Sequence, residues 1–274
     1  MSGSQSNVEV EPKRAPASRW FAFLIASVIF GLWLLYTPRG LLGKADAVGY
    51  AVCHRIDLRS FQLGLRQLPL CARCTGMYLG VLLALAYYFV RRPKAGRYPS
   101  RRLCALLILF AVIWAVDGLN SYLHLVPDMS GGYPPSNTLR LITGALIGIC
   151  LATLVYPAFN QFAWQEFNRE PVLRSFGDLG TLLVFTAGII LLVLTGNPLI
   201  LYPLALISAF SVVLLLTVVY STVVMTVLRR ENQATQWRQL LVPLFLGWAI
   251  AVIQIGIIDL IRFWLTGTWD GFHL

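Results

Sequence analysis

Three of the five cysteines and one of the three histidines fall between positions 53 and 74. They stand as Cys53-His54-Arg55 and then Cys71-Ala72-Arg73-Cys74-Thr75-Gly76. A Cys-x-x-Cys pair offers two soft ligands from one turn of backbone, and Cys53, His54 or both can complete a tetrahedral set for zinc or another transition metal. Adjacent residues seldom ligate one ion comfortably, so His124 stays open as an alternative fourth ligand. The same cysteines admit redox chemistry. Cys71 and Cys74 open an apolar run, where unpaired backbone N–H groups and the helix dipole favour thiolate, and Arg73 stands between them. A thiol–disulfide oxidoreductase working with a quinone is therefore the alternative reading, and an inert disulfide the plain one. Cys104 and Cys150 lie inside apolar runs and read as packing residues.

A second group of polar residues interrupts apolar stretches. Asp117, Asn120, Ser121 and His124 share one helix face by their spacing, Arg140 and Thr143 open the next run, and Gln254, Asp259 and Arg262 sit in the last. Ionisable residues are costly in hydrocarbon and usually face a bundle interior. Asp117 is expected to pair with Arg140, and Asp259 with Arg262 three residues on. Were the metal catalytic, Asp117 or His124 would serve as base to a metal-bound water. Arg55, Arg59, Arg73, Asn120, Arg140 and Thr143 would then line a site for an anionic lipid or phosphate-bearing ligand.

The elements that must position these residues are membrane helices. Hydrophobic residues make up 57% of the 274 and charged residues 12%, about half the usual quarter in a soluble domain. Runs of the roughly 20 apolar residues needed to cross a bilayer recur seven times, over 19–37, 71–90, 103–126, 139–157, 179–196, 199–228 and 239–266. The expected fold is an all-α, polytopic membrane bundle of about seven helices. It divides into a disordered tail over 1–18, a four-helix core over 19–157 carrying the Cys/His loop 38–76, and three further helices over 158–274. Gly76-x-x-x-Gly80 and Gly144-x-x-x-Gly148 let spans two and four approach neighbours closely.

The net charge of +10 does not point to nucleic acid, because the cations lie in loops beside spans, where the positive-inside rule accounts for them. Arg91, Arg92, Lys94, Arg97, Arg101 and Arg102 make the second link cytoplasmic, and with it the N-terminus. The thiols then face the outer side of a plasma membrane. Loop 38–70 breaks the rule with Arg39, Lys44, Arg55, Arg59 and Arg66, which suggests an anionic partner such as a lipid headgroup. There is no phosphate-binding glycine loop, no Ser-His-Asp order and no His-Glu-x-x-His. A non-catalytic subunit of a larger membrane complex is a third reading.

The pattern Cys53-His54-Arg55, Arg59-Ser60-Phe61, Cys71-x-Arg73-Cys74-Thr75-Gly76-x-Tyr78, followed by Asp117, Asn120, Arg140, Thr143 and Gly144, resembles a bacterial and archaeal family of predicted membrane proteins catalogued as a domain of unknown function. The resemblance covers roughly 45–155, the first four spans. It implies membership of that family and no particular activity, and it does not address the last three spans.

Overall fold

The computed structural model describes residues 17–126 and 131–271. Its order is α1 (Ala17–Tyr36), α2 (Gly40–Val52), a hairpin of β1 (Gln62–Leu63) and β2 (Arg66–Gln67), α3 (Ala72–Arg91), β3 (Ala95–Arg97), α4 (Arg101–Leu123), α5 (Asn137–Ala163), β4 (Asn168–Pro171), α6 (Phe176–Leu194), α7 (Pro198–Val227) and α8 (Trp237–Thr266). Among the described residues six helices, α3 to α8, are long and apolar enough to cross a membrane. Phe23–Tyr36 and Gly40–Val52, bent by 104°, can supply one more. Residues 1–16 of the expected tail lie outside the described residues, while Ala17 and Ser18 already belong to α1.

The helix α2 corrects the expectation that 38–70 is all loop. It buries Ala45, Asp46, Ala47, Val48, Gly49 and Tyr50. Pro38 and Gly40, at φ +80°, turn the chain out of α1. Lys44 then folds back and donates from Nζ to Thr37 O at 3.0 Å, to Thr37 Oγ1 at 2.8 Å and to Leu34 O. It thereby covers carbonyls that α1 leaves unpaired at its C-terminus.

The most extensively packed helix pair among the described residues is α3 with α5. A methyl group on Gly76 would run into Leu141 O, and one on Gly80 into Ala145 O. From the other side, one on Gly144 would meet Arg73 O and one on Gly148 Met77 O. All four glycines of the two expected motifs thus press on the partner helix's backbone, the close approach that small residues allow in a bilayer. The last three helices join the same bundle, since α7 packs against α2, α3 and α5 as well as α8.

The links between spans sort to two ends, as alternating crossings require. At one end β3 pairs in parallel with β4, Trp164 bridges Ala234, and Lys94 Nζ sits 3.8 Å from the Trp164 ring centre. Arg92 binds Asp178 at 3.1 Å on the same side. These are the cation-rich links expected in the cytoplasm. The segment before α3, the end of α4, the start of α5 and the end of α8 meet at the other.

Gly144→Leu is expected to disrupt the bundle. A backbone carbonyl cannot step aside as a side chain can, so the cost should reach or exceed the ~1–3 kcal/mol of ordinary overpacking. Gly188→Leu on α6, where nothing lies within 4 Å, should leave thermal stability in detergent near wild type. Equal tolerance of both substitutions would contradict the packing described.

Candidate metal centre

Local chain geometry brings the three thiols together. Cys53 closes α2, its N–H still donating to Gly49 O at 2.8 Å. Cys71 is the N-cap of α3, and Cys74 lies in its first turn. The two helix ends approach because Gly49 has no side chain: a Cβ there would strike the Pro69 carbonyl. The Cys71 N–H then reaches Cys53 Sγ at 3.3 Å. The Sγ atoms of Cys53, Cys71 and Cys74 all lie within 4.8 Å of one another. Sulfurs bound tetrahedrally to zinc at about 2.3 Å sit about 3.8 Å apart, so the spread needs only a small contraction. All five cysteines are free, and no inert disulfide holds the loop. Cys104 and Cys150 are elsewhere, each with Sγ against a backbone carbonyl.

The thiols are electrostatically unequal. Cys53 is held well below the ordinary thiol range, first by the hydrogen bond from the Cys71 side chain, then by that from Cys74, against the opposing effect of burial. Cys71 is pushed up, chiefly because its S–H is given to Cys53. One thiolate shared by two thiols is a nucleus for soft-metal binding, since a metal replaces the two shared protons. His54 does not join this group. Its Nδ1 accepts the Ile56 N–H at 2.9 Å, which uses that lone pair and leaves the ring proton on Nε2. Burial first, then Arg59, Arg73 and Arg140, press its pKa down, while Cys53 presses it up.

Those arginines form the second half of the site, around Ser121. Arg59 Nη2 donates to Ser121 O at 2.7 Å, Arg73 Nη2 to Ser121 Oγ at 3.0 Å, and Arg140 Nε to Ser121 Oγ at 3.4 Å. Asp117 pairs with Arg73. This corrects the expected Asp117–Arg140 bridge, for Arg140 turns instead to Asn137 Oδ1 at 2.9 Å. Tyr133 Oη gives Asp117 Oδ1 a bond of 3.2 Å, and Thr143 Oγ1 gives Oδ2 one of 3.3 Å. Both oxygens are committed to donors, and Asp117 is 1% exposed. It is an anchor for three elements, not a free base. Among the described residues, three guanidiniums thus gather around Ser121 with one carboxylate, which Arg73 pairs, and such a half-buried group calls for further negative charge. Arg59 and Arg140 both lie close enough to Cys71 to act on it.

The other expected site residues have local partners. Arg55, at φ 52°, folds back so that Nη2 meets Asp46 Oδ1 at 3.0 Å and Nη1 meets Trp269 O at 3.0 Å. Arg66 takes the other Asp46 oxygen. With Lys44 on α1, three of the five cations that broke the insertion rule are thus absorbed internally, and Arg55 is not available to an outside anion. Asn120 latches the chain after the loop, donating to Tyr133 O at 2.9 Å and accepting from Tyr133 N at 3.3 Å. His124 caps α4, with Nδ1 2.9 Å from Asn120 O, and is not in the thiol group. Asp259 and Arg262 act on each other electrostatically, as the expected pair would, and Arg262 also bonds elsewhere. Arg262 donates to the carbonyls of Tyr50, Cys53 (2.7 Å) and His54 (3.2 Å) and stacks over the Tyr50 ring. It clamps the end of α2 and so fixes Cys53. The only sequence signal for that role is general: a helix C-terminus needs donors.

Residues 53–154 match the family described as predicted membrane protein (DUF2085), so the match opens at Cys53 and ends inside α5. An uncharacterized protein of Methanocaldococcus jannaschii is 30% identical over 158 residues, covering 53% of this chain and 95% of the relative. Another, from Methanothermobacter thermautotrophicus, is 33% identical over 103 residues, covering 38% of this chain and 83% of the relative. No solved structure matches. A relative covered almost end to end, together with the profile match over the thiols, the Ser121 arginines and the α3–α5 glycines, places the chain in the DUF2085 family of predicted membrane proteins.

Proposed function

We propose that this integral membrane protein holds one transition ion, zinc first among them, through Cys53, Cys71 and Cys74, and binds an anionic group beside it through Arg59, Arg73 and Arg140. The observation that carries the reading is the meeting of three free thiols within 4.8 Å at the joint of α2 and α3. Three thiolates suit zinc by softness and, once zinc-bound, retain one net negative charge that the arginines neighbouring Cys71 offset. Bound there, the ion ties α2 to α3 and, with three protein ligands, keeps one position for water or a ligand oxygen. The arginine surplus around Ser121 fits a phosphate or an anionic lipid headgroup, which guanidinium binds by paired hydrogen bonds. On the topology expected from the loop cations this site faces the outer side of the plasma membrane.

Protein purified without chelators should contain close to one transition ion per chain. Cys53→Ser, Cys71→Ser and Cys74→Ser should each lose it, while Cys104→Ser and Cys150→Ser keep it. Metal-free protein in which Cys71 and Cys74 cycle between dithiol and disulfide would replace this reading with the oxidoreductase one. For the anion, Arg59→Gln should lower co-purified anionic lipid several-fold relative to wild type, and Arg66→Gln, whose partner is Asp46, should not. An unchanged lipid content in Arg59→Gln, with folding intact, would remove the anion from the proposal.

A further inference from the structure

A second polar feature lies away from the thiols and serves nothing described above. Between α1 and α8 an apolar cavity of about 520 Å³ opens, lined by Leu32, Trp33, Ile257, Leu260 and Phe263 among others, with Asp259 in its wall. Leu32, Ile257 and Leu260 are exposed side chains of membrane helices, so the rim faces the acyl region. Gly256 leaves room for the Trp33 ring, 3.7 Å from where a Cβ would stand. Asp259 is 3% exposed, and neither of its oxygens has a hydrogen bond of ordinary length among the described residues. The Trp33 Nε1 is likewise buried without a hydrogen bond of ordinary length, although it faces the Asp259 carboxyl, on which the indole and the Arg262 charge both act.

Buried polar groups are almost always satisfied, and a carboxyl and an indole N–H left open toward the same cavity are two exceptions at one place. Together they specify a complementary head. The indole only donates, and an ionised carboxylate only accepts. An ammonium could serve the carboxylate but not the indole. A ketone could serve the indole but not the carboxylate. A phosphate would be repelled. One hydroxyl serves both, donating to Asp259 while accepting from Trp33. It does so in either form of the acid, because a protonated carboxyl keeps its accepting C=O, whereas a ketone meets both groups only when the acid is protonated. We infer that the α1–α8 cavity is a binding site for a neutral, hydroxyl-headed amphiphile, its chain lying against Leu32, Ile257 and Leu260 and its hydroxyl between Trp33 Nε1 and Asp259. This site stands whether or not the thiols hold a metal.

The test uses the full chain in phospholipid nanodiscs with a diazirine-bearing 1-dodecanol as photoprobe. Labelling should map to α1 and α8 around Trp33 and Asp259. Excess 1-dodecanol should suppress it, and dodecane should not. Asp259→Leu should cut labelling about tenfold, the loss of one hydrogen bond to a charged or strongly polar group. The same variant should melt no lower than wild type, since Leu replaces a buried carboxyl that makes no hydrogen bond of ordinary length among the described residues. Trp33→Phe should weaken labelling in the same direction. The inference is overturned by competition from dodecane equal to that from 1-dodecanol, by stronger competition from dodecylamine, by undiminished labelling in Asp259→Leu, or by failure of that variant to fold, which would make the carboxyl structural.

Discussion

The contact on which the site depends is backbone to backbone, where four glycines seat α3 against α5. Lipid tails are as apolar as leucine, so burial of hydrocarbon does not by itself draw two membrane helices together. Close van der Waals contact between small residues does. With Gly144 lying on the Arg73 carbonyl and Gly76 on that of Leu141, the first turn of α3 is set level with the first turns of α5. That register puts Arg73 within reach of Asp117 and Ser121 and brings Arg140 to the same serine. Cys71 and Cys74, on the same turn of α3, are carried to the same level. A slip of one helical turn, about 5.4 Å, would part the arginines from the thiols.

The second constraint is that charge in a low-dielectric setting must be answered. Lys44, Arg55 and Arg66 are answered within their own segment, by α1 carbonyls and Asp46. Arg262 is spent on the carbonyls at the end of α2. What is left is the group around Ser121, with one carboxylate for three guanidiniums among the described residues, beside thiols of which Cys53 already favours the thiolate. The excess of cations and the thiolate held at Cys53 are two sides of one arrangement; Cys71 and Cys74 keep their protons by giving them to Cys53, and a metal would take the place of those protons.

The spans and the glycine contacts were legible in the sequence because each rests on a long or strictly spaced pattern. The helix α2 was not. Its 13 residues are too few to span, and its glycines, Lys44 and Asp46 read as loop. With 40–52 read as loop, nothing in the sequence decides that Asp46 stands between Arg55 and Arg66. The sequence shows that Asp117 needs a cationic partner but not which one, because Arg73 and Arg140 both reach it in principle and only the helix register decides for Arg73. Among the candidate ligands, sequence spacing could not choose between Cys53 and His54. The choice falls to a backbone detail, the Ile56 N–H that takes His54 Nδ1. Tyr133 and the clamp of Arg262 carried no signal of their own, since each joins segments far apart in the chain.

The central claim is that three thiolates from two helix ends converge on one ion. Zinc K-edge X-ray absorption on the loaded, purified protein measures this directly. The arrangement predicts three sulfur scatterers at about 2.3 Å with one lighter nitrogen or oxygen atom, and two sulfurs in the Cys53→Ser variant if it retains any metal. A first shell of nitrogen and oxygen alone, or one unchanged by Cys53→Ser, would contradict it.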